Sequence, residues 1–537
     1  MPAISSKKLR QRGVALLLGT VGLVVVIPMV GLSVDVGILY AVKTRLQSSV
    51  DGASLAAARA LVLGSTTSAQ ASSAQQNAVN WFYANFPNGN WATSGTVMST
   101  STVQVFDDPN NANVRNVTVT ASTRVPTYFM KWFNFNSTNI TAVGNASRRD
   151  VVVMLVLDRS GSMNVSSSCG DMVTAAKNFT GQFANGRDRV GLVSFSDNAY
   201  LHSAPTTNFQ SVLGYSNASG NGTGELDSIV CQGGTSTAQG MAVAYNELYK
   251  TNLPGAMNVV MIETDGLPNT LTMNWWDSTN TVAGIASSGN CKDSNNKTKS
   301  SGGFATKASL PNWTAGLAMG SGSYYADIPA GIVGAVASAD PGQGSFNFFT
   351  MLQYWTTTKS GAFNSTSYLS STTAPGCTFD NSHTPTSLSS DLAWLPDTDV
   401  YGNLLDEGSR NFITPVTRSG GRIVANSWTV YHNGVLNATD DVAYKIRTNA
   451  TLPAYVMAIG LGGNSADPPD YVLMQRMAND PNGDNFNSPA LYQDCSLESN
   501  CTNYSTQPQG MFLFSTDKTV LGQAFLSISS QILRLSH

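Results

Sequence analysis

The run Asp158-Arg159-Ser160-Gly161-Ser162 places a carboxylate and two hydroxyls at alternate positions, directly after an apolar stretch, VVVMLVLD at 151–158. Two later segments offer oxygen of the same kind: Gly233-Gly234-Thr235-Ser236-Thr237 and Glu263-Thr264-Asp265-Gly266. A site drawing on Asp158, Ser160, Ser162, Thr235 and Asp265 would present two carboxylates and three hydroxyls, with no nitrogen or sulfur ligand. Hard oxygen donors of this kind suit Mg2+, with Mn2+ or Ca2+ as substitutes, rather than Zn2+. The neighbouring glycines permit the sharp backbone turns that such a cradle needs. D-x-S-x-S by itself is also a common helix-capping turn, so the metal reading requires all three segments to meet.

The pattern of elements supplies a reason for them to meet. An almost unbroken apolar run such as 151–158 is expected of a central parallel strand buried on both faces. Helical patterns follow at about 171–185 and at Thr237–Lys250, and strand patterns at Arg189–Phe195 and Asn258–Thr264. Much later come a helix near Asp440–Arg447, strand Ala454–Ile459, helix Pro469–Met477, strand Met511–Phe514 and a last helix from about Thr516 to Leu533. Strands alternating with helices predict an α/β fold with a doubly wound, mostly parallel sheet. In such a sheet the loops at the carboxyl ends of the strands share one crevice, which would receive all five oxygen-bearing residues.

Between about 267 and 420 the alternation fails. The stretch is rich in Ser, Thr, Asn and Gly, with Trp275, Trp276, Trp313, Trp355 and Trp394 interspersed. A structureless loop of that length inside a compact domain is implausible. An insertion with its own small core is expected, for which Cys291 and Cys377 are a candidate staple. Its tryptophans are either that core or contact anchors at a partner site.

The N-terminal region has a different character. Lys7, Lys8, Arg10 and Arg12 precede 22 residues without charge, Gly13–Val34. At about 1.5 Å per residue these reach about 33 Å, enough to cross a hydrocarbon core. The basic cluster ahead of the span orients the N-terminus to the cytoplasm and the rest of the chain outside. The apolar stretch is longer than a cleavable signal peptide has and lacks its small-residue cleavage site. Helical spacing continues from Ile38 to about Leu63, and a second helix is expected at about 67–86. Strands follow at Thr102–Phe106 and Val114–Ala121, flanking the turn residues Asp107–Asn111, with another near Asn139–Ala146. The expected organisation is thus a cytoplasmic stub and transmembrane helix at 1–35, a small α+β unit at 36–148, and the α/β domain at 149–537.

Composition narrows the function. The 537 residues carry 30 Lys+Arg against 33 Asp+Glu, so nothing favours a nucleic-acid backbone. Six cysteines without a CxxC pair and four histidines argue against a Cys/His zinc site. In an oxidising compartment up to three disulfides are possible, with connectivity open and Cys495 and Cys501 close enough for a local loop. No P-loop, dinucleotide fingerprint or G-x-S-x-G elbow occurs, so an enzyme is not expected.

The three-part oxygen set resembles the metal-ion-dependent adhesion site of von Willebrand factor A domains: D-x-S-x-S, a later Thr and a later Asp-Gly. The resemblance implies that Ser160, Ser162 and Thr235 would hold the ion directly, while Asp158 and Asp265 act largely through water or hydrogen bonds. An open coordination position would then accept a carboxylate from a protein partner. The N-terminal sequence is similar to that of TadG-like proteins of the tight-adherence (Flp) pilus-assembly system. The likeness is carried by Asp35, Gly37, Tyr40, Arg45, Leu46, Gln47, Asp51, Ala53 and Leu55, by Pro126-Thr127-Tyr128-Phe129-Met130, and by the closing LGQAFLSISSQILRL. Type IV pilins carry Glu five residues after the glycine cut by prepilin peptidase; here Leu18 stands five residues after Gly13, so the anchor is expected to be retained. The resemblance implies a membrane-anchored binding component of pilus assembly in a bacterial inner membrane, its partner a pilus subunit or another assembly protein. The alternative is a surface adhesin that grips host or matrix ligands through the same domain.

Overall fold

A computed structural model of the protein describes residues 7–196, 199–215, 224–231, 234–275, 332–338, 346–350, 394–395, 397–399, 401–413, 416–419, 422–424, 428–463, 468–483 and 506–536. The chain divides into two compact units, Met1–Arg149 and Asp150–Ser536.

The first unit is built on one long helix, α1 (Lys7–Ala60), with Pro28 inside it. Its apolar side chains from Leu17 to Val36 are mostly exposed, and an 18-residue window there has a mean hydropathy of 2.4. That is the length and composition of a membrane span. Further along the helix one stripe becomes buried: Val42, Leu46, Val50, Ala53 and Ala57 recur at three- and four-residue spacing and pack on the unit's core. The helix α2 (Thr67–Asn85), N-capped by the Thr66 hydroxyl, adds Ala74, Ala78 and Phe82 to that core. Against them lies an antiparallel sheet of β1 (Ser94–Val97), β2 (Val103–Asp108), β3 (Asn111–Pro126) and β4 (Ser137–Arg149). The turn residues Asp107–Asn111 join β2 to β3, and β3 runs five residues further than the alternation alone suggests because β4 pairs with it from Val114 to Pro126. Gly144 of β4 sits where a Cβ would come 2.8 Å from the Val50 carbonyl oxygen, so helix and sheet approach to backbone contact.

The second unit is the expected doubly wound sheet. Its strands are β5 (Val151–Asp158), β6 (Arg189–Phe195), β7 (Ala199–Thr206), β8 (Met257–Thr264), β9 (Tyr455–Leu461) and β10 (Met511–Ser515), in the order β10-β9-β8-β5-β6-β7. All pairs are parallel except the hairpin β6–β7, an edge strand that the sequence pattern did not reveal. Every residue of β5 and β8 is buried. Val152, Met154 and Val156 face a core shared with α6 (Thr237–Thr251), α7 (Trp428–Thr448) and α8 (Tyr471–Ala478). Val151, Val153, Leu155 and Leu157 face the opposite core, with α4 (Cys169–Thr180), α5 (Phe209–Leu213) and α9 (Leu521–Leu535). Each such side chain contributes about 1.5–3 kcal/mol of burial.

The long interval is only partly described. Thr270–Trp275, Ile332–Ser338 and Phe346–Thr350 form an antiparallel three-stranded sheet. Its far end differs from the expectation of a separate core reaching to 420: Tyr401, Leu405 and Ile423 lie in the core beneath α6 and α7. Half-buried ion pairs fix this stretch, Arg410 to Glu407 and Asp441, with Lys445 donating to the Gly402 carbonyl at 2.6 Å. The candidate pairings Cys291–Cys377 and Cys495–Cys501, and the roles of Trp276, Trp313 and Trp355, lie outside the described residues. The described disulfide is Cys169–Cys231.

Candidate functional site

The chain leaves β5 toward β6 on one side and returns to β8 on the other, so the carboxyl end of β5 is the switch point where a crevice forms. Asp158 stands there, fully buried. Its Oδ1 accepts the Ser160 N–H at 2.7 Å and its Oδ2 accepts the Thr264 hydroxyl at 2.5 Å. One carboxylate therefore shapes the turn after β5 and joins it to the last residue of β8. The Arg159 N–H donates to the Phe195 carbonyl at 2.9 Å, which holds the same turn to the end of β6.

Ser160 precedes the one-turn helix α3 (Gly161–Val165). Its hydroxyl lies 2.7 Å from that of Ser162, and the Ser162 hydroxyl donates to Asp265 Oδ1 at 2.5 Å across 103 residues of sequence. Ser166 reaches Asp265 Oδ2 at 3.4 Å. Thr235 enters through its backbone. Its N–H donates to Asn269 Oδ1 at 2.7 Å, and its carbonyl accepts from the N–H groups of Asn269 and Thr270 at 2.9 and 3.2 Å. The Ser236 N–H donates to the Ser196 carbonyl at 2.8 Å, tying the same loop to the end of β6. The helix that follows can approach because Gly240 has no side chain: a Cβ there would come 2.8 Å from the Phe195 ring. Cys231, four residues before Thr235, is fastened to Cys169 at the start of α4.

Ser160, Ser162 and Asp265 thus form one hydrogen-bonded chain, with Asp158 joined to it through the Ser160 backbone. Thr235 is lashed to the loop that follows Asp265, but its hydroxyl is not hydrogen-bonded into the chain. Sequence reasoning missed Thr264, Ser166 and Asn269, which bond to Asp158, Asp265 and Thr235 respectively; short polar residues at the ends of elements carry no signal of the partner they will meet. It also passed over Glu263, a carboxyl next to the end of the mainly apolar strand β8. Glu263 is fully buried, and burial, together with the charges of Asp158 and Asp265, holds its pKa well above the carboxylate range.

Asp265 shows the electrostatic character of the site. Burial first, and the Asp158 charge second, push its pKa up to about 7, against the opposing pull of the Ser162 and Ser166 hydroxyls. Oxygen donors converge where negative charge is costly, an environment that a hard divalent cation relieves. The donor chemistry therefore fits Mg2+ or Mn2+. Among the described residues no three His, Cys, Asp or Glu side chains cluster as metal ligands, so such an ion would depend on the hydroxyls. A second polar group places Ser194, fully buried, 2.7 Å from His202 Nε2, with the partly exposed Glu225 at 3.7 Å from Nδ1.

Comparisons with known proteins bear on the family and the fold. Residues 153–267 match the family model described as a von Willebrand factor type A domain. Residues 13–60 match the one described as putative Flp pilus-assembly TadE/G-like. No curated protein matches the chain significantly. Among solved structures, the PilB minor pilin from Streptococcus sanguinis is 11% identical, covering 83% of this chain and 80% of that one at a TM-score of 0.31. The vWF domain of the type V pili tip protein Mfa5 from Porphyromonas gingivalis is 14% identical, covering 73% and 98% at 0.31. The open form of the pilus adhesin SpaC from Lactobacillus rhamnosus GG is 14% identical, covering 81% and 35% at 0.31. Likenesses at this level leave the fold assignment resting on the strand order and the family match.

Proposed function

We propose that this chain, which joins a TadE/G-like segment to a von Willebrand factor type A domain, is a membrane-anchored, metal-dependent protein-binding component of pilus assembly. The apolar part of α1 fits a single-pass anchor. The basic residues ahead of it favour a cytoplasmic N-terminus and an extracytoplasmic binding domain.

One observation carries the reading: hydroxyls and a carboxylate from the ends of two different strands meet at 2.7 and 2.5 Å, beside a third loop tied to the same place. Ser160, Ser162 and Thr235 would hold a divalent ion directly. Asp158 and Asp265 would act through water while they orient the hydroxyls. A bound Mg2+ or Mn2+ would supply a Lewis-acidic corner for a carboxylate oxygen of the partner. Asp158 keeps the turn in place through the Ser160 N–H, and Thr264 keeps Asp158 aligned. Asn269 holds the Thr235 backbone through its N–H.

The test is capture of purified pilus subunits and assembly proteins by the full-length chain in detergent, with magnesium or with chelator. Capture by the magnesium-loaded wild type, lost with chelator and with Ser162→Ala, is the expected result. Capture indifferent to both leaves the site without this role.

A further inference from the structure

Two separated segments of the first unit meet at the end of the membrane span. The Asp35 carboxylate, 1% exposed, accepts the backbone N–H groups of Tyr128, Phe129 and Met130 at 2.8, 2.9 and 2.7 Å. Four residues earlier, the Phe129 ring fills the space beside Gly31, where a Cβ would lie 2.4 Å from it. Three carboxylate bonds and a ring seated on a glycine fix the loop after β3 to one height on α1. The loop is also closed on itself: the Thr127 N–H donates to the Asn136 carbonyl at 3.2 Å and the Phe135 N–H to the Met130 carbonyl at 3.2 Å.

With α1 read as a span, that height lies inside its apolar stretch. Gly31 is three residues inside the charge-free stretch ending at Val34, about 4.5 Å along the helix axis. The Trp132 ring is centred 6.2 Å from that of Phe129. Even displaced straight outward, it would lie only about 2 Å past the end of the span, within a headgroup layer of about 5–7 Å. Trp132, Phe133 and Phe135 are 73, 64 and 61% exposed, with the exposed Lys131 among them. A rigid loop that presents three large aromatic side chains to water would be a liability. At a bilayer interface, aromatic rings and a lysine that reaches the headgroups are favoured.

We propose that residues 128–135 form a second membrane contact, an aromatic loop seated in the headgroup layer of the leaflet where α1 emerges, with Asp35 as its positioning residue. The occupant of this apolar surface is a phospholipid bilayer. The inference rests on α1 spanning the membrane and is independent of the metal site. It gives the first unit two attachments to the bilayer, which restrict swivelling about the helix.

The test uses the full chain in phosphatidylcholine nanodiscs, with and without acyl-brominated lipid, and compares the tryptophan fluorescence of wild type and Trp132→Phe. The chain has nine tryptophans, so bromine quenching of the wild type should exceed that of the variant by about one-ninth of total emission. Asp35→Ala, which releases the loop, should remove that excess while the chain stays in the disc. Equal quenching of wild type and Trp132→Phe overturns the proposal, whether Trp132 then proves open to aqueous acrylamide or covered by protein. A chain that does not co-purify with the discs refutes the span itself, a distinguishable failure.

Discussion

Replacing Asp265 with asparagine should strengthen the metal-free domain while abolishing its response to metal. The magnitude follows from the site. Burial and the Asp158 charge raise the Asp265 pKa from 3.8 to about 7, a penalty of about 4 kcal/mol on the charged form. A folded value above the unfolded one means the cost is absent below about pH 4. It grows as the pH rises toward 7 and is carried in full above that. Asparagine does not titrate, and its amide oxygen can still accept from Ser162. In chelator at about pH 8, Asp265→Asn should therefore be more stable than wild type by up to about 4 kcal/mol, and the gain should shrink toward pH 5. With magnesium at about a hundred times its Kd, wild type should recover about 2.7 kcal/mol and the variant nothing. Calorimetric unfolding of the full chain in detergent, followed at the transition of the α/β unit, measures both. A variant less stable than wild type in chelator, or one that keeps the magnesium shift, would refute the reasoning.

Further outcomes follow from the same structure. The Cys169–Cys231 bond closes a loop with a sequence separation of 62, so Cys169→Ala with Cys231→Ala should cost up to about 4 kcal/mol and lower the Tm of the α/β unit. Because that bond lies just ahead of Thr235, the double variant should also bind manganese more weakly, as calorimetric titration would show. Asp399 is fully buried, and burial pushes its pKa up to about 7 despite hydrogen bonds from Asn403 and Tyr401 and the nearby Lys445. Its charged form is disfavoured in the fold, so wild type should lose ground to Asp399→Asn as the pH rises from 5 to 8; chemical denaturation at several pH values should show that trend, and a gap independent of pH would contradict it.

How much could be read in the sequence depended on whether the signal was local. The strands β5 and β8 and the oxygen-bearing turns after them announce themselves, because burial on both faces leaves a long apolar run in each, with polar residues confined to the ends. The edge strand β7 does not: Ala199–Thr206 alternates weakly and pairs on one side only. Helix α7 begins at Trp428, about twelve residues before its clear pattern near Asp440. The early turns carry Asn433 and Gly434, poor helix formers kept for tertiary reasons. Gly434 abuts Leu405, and Asn437 serves the backbones of Leu405 and Ile413. The Asp35 contact with residues 128–130 spans more than ninety positions, and no periodicity reports such a pairing.

The central claim is that Ser160 and Ser162, held by Asp158 and Asp265, bind a divalent ion. Manganese titration of the full-length chain, followed by the electron paramagnetic resonance of free Mn2+, tests it most directly. The account predicts that wild type removes one more ion per chain from solution than Ser160→Ala/Ser162→Ala does. Identical titration curves for the two proteins would contradict it.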